Sequence, residues 1–285
     1  MNFPVSLQQN KRSVLGIVAL TLFIVAYYPI FQILVKKWAS SEEYSHAFVI
    51  LPIILYLVWQ KRAIFQESQV RYSSVGLVLL IISALFYPVS LLIQMRTIIA
   101  LFMFLTVVGT IIYLFGTDTL KALFTPLLLL AMLIPVPEKL FIQLTFPLQL
   151  IVSQISEVVI RFFAVPILRE GNIMFIPGKT FEVVEACSGL RSMISLLTLS
   201  VIFGYFRLRK VSSKLVLVVA SAPTAIFVNI IRVVTMILLF HFFKLDLSEG
   251  TLHTLTGISI FAIALLTLFL VERILEKWEI KSNSN

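Results

Sequence analysis

The chain has one cysteine and three histidines, and only 13% of its 285 residues are charged. A single thiol excludes an internal disulfide and a cysteine-rich metal site. The histidines, at positions 46, 241 and 253, are scattered. No HExxH or CxxC spacing occurs, so no metal site is expected. There is also no Walker loop and no G-x-S-x-G elbow. Nothing in the pattern calls for a cofactor. Soluble domains carry about 25% charged residues, roughly twice what is found here. The 23 basic residues exceed the 14 acidic ones, but they flank apolar runs and form no separate basic domain, which argues against nucleic acid as a partner.

What remains is apolar. Hydrophobic residues make up 59% of the chain and the mean hydropathy is +1.02. Runs of about 20 apolar residues can cross a hydrocarbon core of roughly 30 Å. They are continuous rather than alternating, which excludes a transmembrane barrel. The expected fold is an all-α membrane protein, a polytopic helical bundle of about eight transmembrane helices forming one domain over 1–285, with membrane lipids around it. The spans fall at 14–35, 45–60, 74–94, 97–116, 120–136, 190–206, 215–240 and 254–272. The first run is too long for a signal-peptide core and is read as a retained helix.

The segment 140–163 differs. Gln143, Gln149, Ser153, Gln154, Glu157 and Arg161 share one broad helical face, opposite Leu, Ile, Val and Phe. This fits an amphipathic helix in the membrane interface, or one lining a polar cavity. Residues 169–182 contain short alternating pieces and a Pro177-Gly178 turn, which predict a short extracytoplasmic hairpin. The distribution of Lys and Arg sets the orientation. The densest basic loop, Arg207, Arg209, Lys210 and Lys214, is placed inside with Lys11, Arg12, Lys61, Arg62, Arg71, Lys121, Arg273, Lys277 and Lys281, while Lys36, Lys37 and Arg96 run against the rule. Five crossings then bring the chain outside near Pro137, provided that 140–163 does not cross.

On that outer side stands the polar island Glu185-Ala186-Cys187-Ser188-Gly189-Leu190-Arg191. A thiol at a helix N-terminus has a lowered pKa, and the N–H groups of the same turn suit an oxyanion. Gly189 permits close backbone approach, and Arg191 lies one turn on, facing the same side as Cys187. A lone cysteine is also a common packing residue; Glu185, Ser188 and Arg191 argue for the reactive reading. Arg232 lies inside a span, where a guanidinium costs about 3 kcal/mol. It either faces a cavity or snorkels to the interface. Asn229 is one turn earlier. His253 opens the last span on the outside, either solvated or as a proton carrier near neutral pH. His46 opens the second span and could line the same vestibule or bind a substrate group. Apart from cysteine chemistry, two other classes fit these residues: a transporter or flippase subunit that uses Arg232 for an anionic headgroup, and a scaffold for envelope polysaccharide export.

Several pieces occur in order along nearly the whole chain: Tyr44-Ser45-His46, Gly171-Asn172-Ile173, the run Phe181 to Arg191, Asn229-Ile230-Ile231-Arg232-Val233, and His253 before the last helix. In this combination the chain resembles the exosortase/archaeosortase family. The resemblance implies a multi-pass cysteine transpeptidase of the bacterial inner membrane with its site facing the periplasm. Its expected partners are membrane-anchored proteins whose C-terminal sorting tails carry a Pro-Glu-Pro motif, a helix and a basic end, and a lipid or glycan acceptor. By carry-over, Cys187 is the nucleophile that forms a thioester, Arg232 stabilises or protonates the reacting group, and His253 completes the triad. Arg191, Asn229, Ser188, Gly189, Glu185 and His46 support the site or bind substrate.

Overall fold

A computed structural model describes residues 5–41, 43–67, 72–183, 190–247 and 250–283. The chain divides into two compact units, Met1–Pro135 and Val136–Asn285.

The first unit holds α1 (Val5–Ala26), α2 (Tyr28–Ser40), α3 (Ala47–Gln60), α4 (Arg62–Glu67), α5 (Ser74–Ile93), α6 (Arg96–Ala122) and α7 (Phe124–Met132). Helices α1 and α2 meet at a 64° bend. Pro29 lies in the first turn of α2, a position that lacks an N–H partner anyway and restarts the helix. The bend is braced by its neighbours: the Tyr27 hydroxyl bonds Thr106 of α6, and the Tyr87 hydroxyl of α5 donates to the Ala26 carbonyl at 3.0 Å. Helices α5 and α6 form a tight hairpin through Gln94, which is left-handed at φ 58°. A Cβ at Gly76 would lie 2.3 Å from the Tyr113 backbone nitrogen, so only glycine permits this approach.

The second unit holds α8 (Glu138–Phe162), β1 (Leu168–Glu170), β2 (Ile173–Ile176), β3 (Lys179–Glu182), α9 (Leu190–Arg207), α10 (Val211–Phe243) and α11 (Gly250–Asn283). The strands form one antiparallel sheet in the order β1-β2-β3. One core joins α8, the sheet and α10 through Val152, Ile160, Met174, Phe181, Val233 and Ile237. A second joins α9, α10 and α11 through Leu196, Leu217, Val228, Ala264 and Leu268.

The architecture is all-α apart from this sheet, and five described helices are long and apolar enough to cross a membrane, or six with the bent pair taken as one span. The count of eight spans that the apolar runs suggest is not confirmed among the described residues. Helix α3 has 14 residues and α7 only nine, about 14 Å at 1.5 Å per residue. The run 120–136 fails as a span because α6 consumes its start and Pro135 and Pro137 close its end. Helix α8, with 25 residues, passes the test that α7 fails. Its polar residues Thr145, Gln149, Ser153 and Ser156 are buried against the rest of the unit, while Leu144, Phe146, Ile151, Ile155 and Val158 are exposed. Gln143, Gln154 and Arg161 of the predicted polar face are exposed, so α8 buries only part of that face; by length and composition it is also a candidate span. Among the described helices the candidate spans before Cys187 are the bent pair α1–α2, α5, α6 and α8, against the five that the apolar runs suggest.

Candidate functional site

Arg232 is half-buried on α10. Its guanidinium lies against Gly257 of α11: a Cβ built on Gly257 would sit 3.6 Å from Nη2 and 3.9 Å from Cζ. The planar group occupies surface that a larger side chain would cover. Position 253 precedes Gly257 by one helical turn, so the backbone places the two on one stripe of α11. The packing of α10 on α11 therefore brings Arg232 to the face that carries His253; the His253 side chain lies outside the described residues. Asn229, three residues before Arg232 on α10, is 4% exposed and faces the same side of the helix.

Glu185, Cys187, Ser188 and Gly189 lie outside the described residues. Described helix α9 begins at Leu190, three residues after Cys187. Arg191 is in its first turn, and its side chain is also outside the described set. His46 belongs to the first unit, at the N-terminus of α3. Both of its ring nitrogens are shielded from solvent.

The structure describes in detail the sheet that leads into the thiol segment. Ser153 of α8 donates to the Gly171 carbonyl at 3.0 Å. The Asn172 amide donates to Gln149 Oε1 at 3.4 Å and to the Val183 carbonyl at 3.3 Å, and Val183 N–H donates to the Asn172 carbonyl at 2.9 Å. Arg169 of β1 pairs with Glu157 at 2.8 Å, and Glu157 also holds Arg161 at 2.7 Å. On the other side Lys179 pairs with Asp246, just beyond α10, with its ammonium 5.3 Å from the Phe181 ring and 5.6 Å from the Phe240 ring. The sheet is thus tied to α8 and to the end of α10, and Val183, the last described residue before the Cys187 segment, is held by main-chain and side-chain bonds. The polar face of α8 was visible in the sequence, but its bonding to the sheet was not, because a lone Asn or Ser does not declare its partner. Gly257 carried a signal that went unread, a glycine one turn after the candidate histidine.

At the far end of the same helices the charges are arranged differently. Glu272, 1% exposed, accepts from Arg207 at 3.2 Å, and Glu276 accepts from the same guanidinium at 2.7 Å. Glu279 accepts the backbone N–H groups of Arg209 and Lys210 at 2.8 and 2.9 Å. That carboxylate sits at the start of α10, where free N–H groups and the helix dipole favour an anion.

Comparison with known families gives one match. A family model described as transmembrane exosortase covers residues 38–270, which takes in His46, the sheet, the thiol segment, Arg232 and position 253. The chain matches no curated protein and no solved structure. A match over most of the chain, on a multi-pass helical membrane architecture, settles the family: this protein belongs to the transmembrane exosortases.

Proposed function

We propose that the chain is a membrane-embedded cysteine peptidase or transpeptidase that cuts the C-terminal sorting tail of exported, membrane-anchored proteins. The proposed setting is the bacterial inner membrane with the site facing the periplasm. Family membership supports the sorting role. The observation that carries the residue assignment is the Arg232 guanidinium packed onto Gly257, one turn from position 253.

In this reading the Cys187 thiolate attacks the carbonyl carbon of the scissile peptide bond. The carbonyl electrons move to oxygen, and the resulting oxyanion is stabilised by Arg232 and by main-chain N–H groups after Cys187. Collapse re-forms the carbonyl, breaks the C–N bond and passes a proton from His253 to the departing amine, which stays with the anchor. The released chain is then a thioester on Cys187. An incoming amine, hydroxyl or water attacks it, loses its proton to His253 and restores the thiol. Shielding the thioester from bulk water favours transfer over hydrolysis.

The test replaces Cys187 with Ala or Ser and follows the size of a co-expressed protein that carries a Pro-Glu-Pro tail. Wild type shortens it and both variants leave it whole at equal expression. Cutting that survives loss of the only thiol in the chain rejects the mechanism.

A further inference from the structure

Among the described residues, the sheet ends in an edge that no other segment pairs with. The register pairs Ile176 with Lys179, Met174 with Phe181 and Ile173 with Glu182. The Val183 N–H to Asn172 carbonyl bond marks 172 and 183 as a hydrogen-bonded pair. Such pairs alternate along an antiparallel ladder, so Phe181 and Lys179 also bond back to β2. Thr180 and Glu182 therefore turn their N–H and C=O groups away from β2. Both residues are exposed, and no hydrogen bond from another described segment reaches them. The edge is held firm: Val183 is clamped by Asn172, and Lys179 is fixed by Asp246. The opposite edge is unlike it, because β1 packs on α8 and is tied there through Arg169 and Glu157.

We propose that the β3 edge is the docking site for the protein substrate, whose extended tail adds as a further strand at Thr180 and Glu182. This rests on the peptidase reading above. Two main-chain donor–acceptor pairs spaced two residues apart match another extended polypeptide and nothing else in an envelope: a lipid headgroup or glycan has no such ladder. Strand addition supplies affinity through the main chain with little demand on sequence. Continuity with the site favours β3, since Cys187 follows Glu182 by five residues. A chain segment of that length spans at most about 18 Å, so a tail paired along β3 has its scissile bond within reach of the thiol.

The test uses the full chain with Cys187→Ala, which removes the only cysteine and leaves any bound tail uncut. Thr180→Cys is added, and the partner is a co-expressed substrate with single cysteines placed at consecutive tail positions. Disulfide formation requires Cα atoms about 4.4–6.8 Å apart, and neighbouring residues of a strand face opposite sides. The crosslink should therefore peak at one tail position and fall at least tenfold at the positions immediately before and after it, with Leu168→Cys on the β1 edge giving none. Equal yield at consecutive positions, equal yield from Leu168→Cys, or no crosslink at all overturns the proposal. Cutting by the wild-type enzyme is scored separately: a periodic crosslink without wild-type cutting sinks the peptidase reading and keeps the docking site, and cutting without a periodic crosslink does the reverse. Thr180→Pro deletes one outward N–H without touching the β2 ladder, and processing should fall at least tenfold. Wild-type processing by that variant also overturns the proposal.

Discussion

The two ends of the α9–α11 bundle handle arginine in opposite ways. At one end Arg207 is met by Glu272 and Glu276, and Glu279 caps the start of α10. Arg207, Glu272, Glu276 and Glu279 there are each matched by a counter-charge or by main-chain N–H groups, an arrangement that braces helices. At the other end Arg232 is seated against Gly257, a residue chosen for what it lacks. Arg207 ties α9 to α11, whereas Arg232 lies where residue 257 has no side chain. In the proposed reading, a guanidinium placed within a span at a cost of about 3 kcal/mol and packed onto a glycine one turn from position 253 serves the reacting oxygen. Charge alone would not separate the two, since each is a guanidinium on an apolar helix.

The sharpest way to break this comparison is to neutralise each arginine. Arg232→Gln should lower tail processing by about 10²–10³, the cost of losing one oxyanion donor, with little change in thermal stability of the detergent-solubilised protein. Arg207→Gln should do the reverse, lowering the melting temperature while processing per folded molecule stays near wild type. Equal effects of the two on processing would erase the distinction.

A second contrast sets two glycines side by side. At Gly76 the obstacle to a Cβ is the Tyr113 main chain at 2.3 Å, which cannot swing away. Gly76→Ala should force α5 from α6 and cost about 1–3 kcal/mol, as overpacking does, read as a lower melting temperature or reduced yield in the membrane. Glu279→Ala should cost less, about 1 kcal/mol, the usual effect of losing a helix cap, and thermal unfolding in detergent measures it. A loss as large as that of Gly76→Ala would mean that Glu279 does more than cap.

These contrasts also show where sequence is informative. Long apolar runs such as 74–94 and 215–240 declare themselves, because nothing else needs 20 such residues in a row, and α5 and α10 stand where those runs are. The run 120–136 misled because hydropathy does not feel Pro135 and Pro137 ending a helix, nor α6 continuing through the bend at Gly116 to Ala122. Helix α8 misled for a subtler reason. Periodicity groups its polar residues, yet a period cannot say which of them meet the protein's own interior; Gln149 and Ser153 meet the sheet, while Gln143 and Gln154 are exposed. At the site, Arg232 stood out because a charge in a span is conspicuous, whereas Gly257 and Asn172 did not, because their importance lies in an approach between segments far apart in sequence. The segment around Cys187, the most legible feature of the sequence, lies outside the described residues, so its chemistry rests on variants.

The smallest expected effect is also the most discriminating. A Cβ on Gly257 would meet Arg232 at 3.6 and 3.9 Å, ordinary van der Waals contact rather than a clash. Gly257→Ala should therefore be tolerated by the fold, and removing a mid-helix glycine should even stabilise α11 by up to about 1 kcal/mol. A leucine at the same position must occupy the volume where the guanidinium lies. Gly257→Leu should leave the protein in the membrane at normal levels and depress processing by at least tenfold, with Gly257→Ala between it and wild type. If processing instead followed melting temperature across wild type, Ala and Leu, Gly257 would be a packing residue like Gly76. A fall in processing while the melting temperature holds or rises is what a seat for Arg232 requires, because only that role makes the space at residue 257 matter more than its packing.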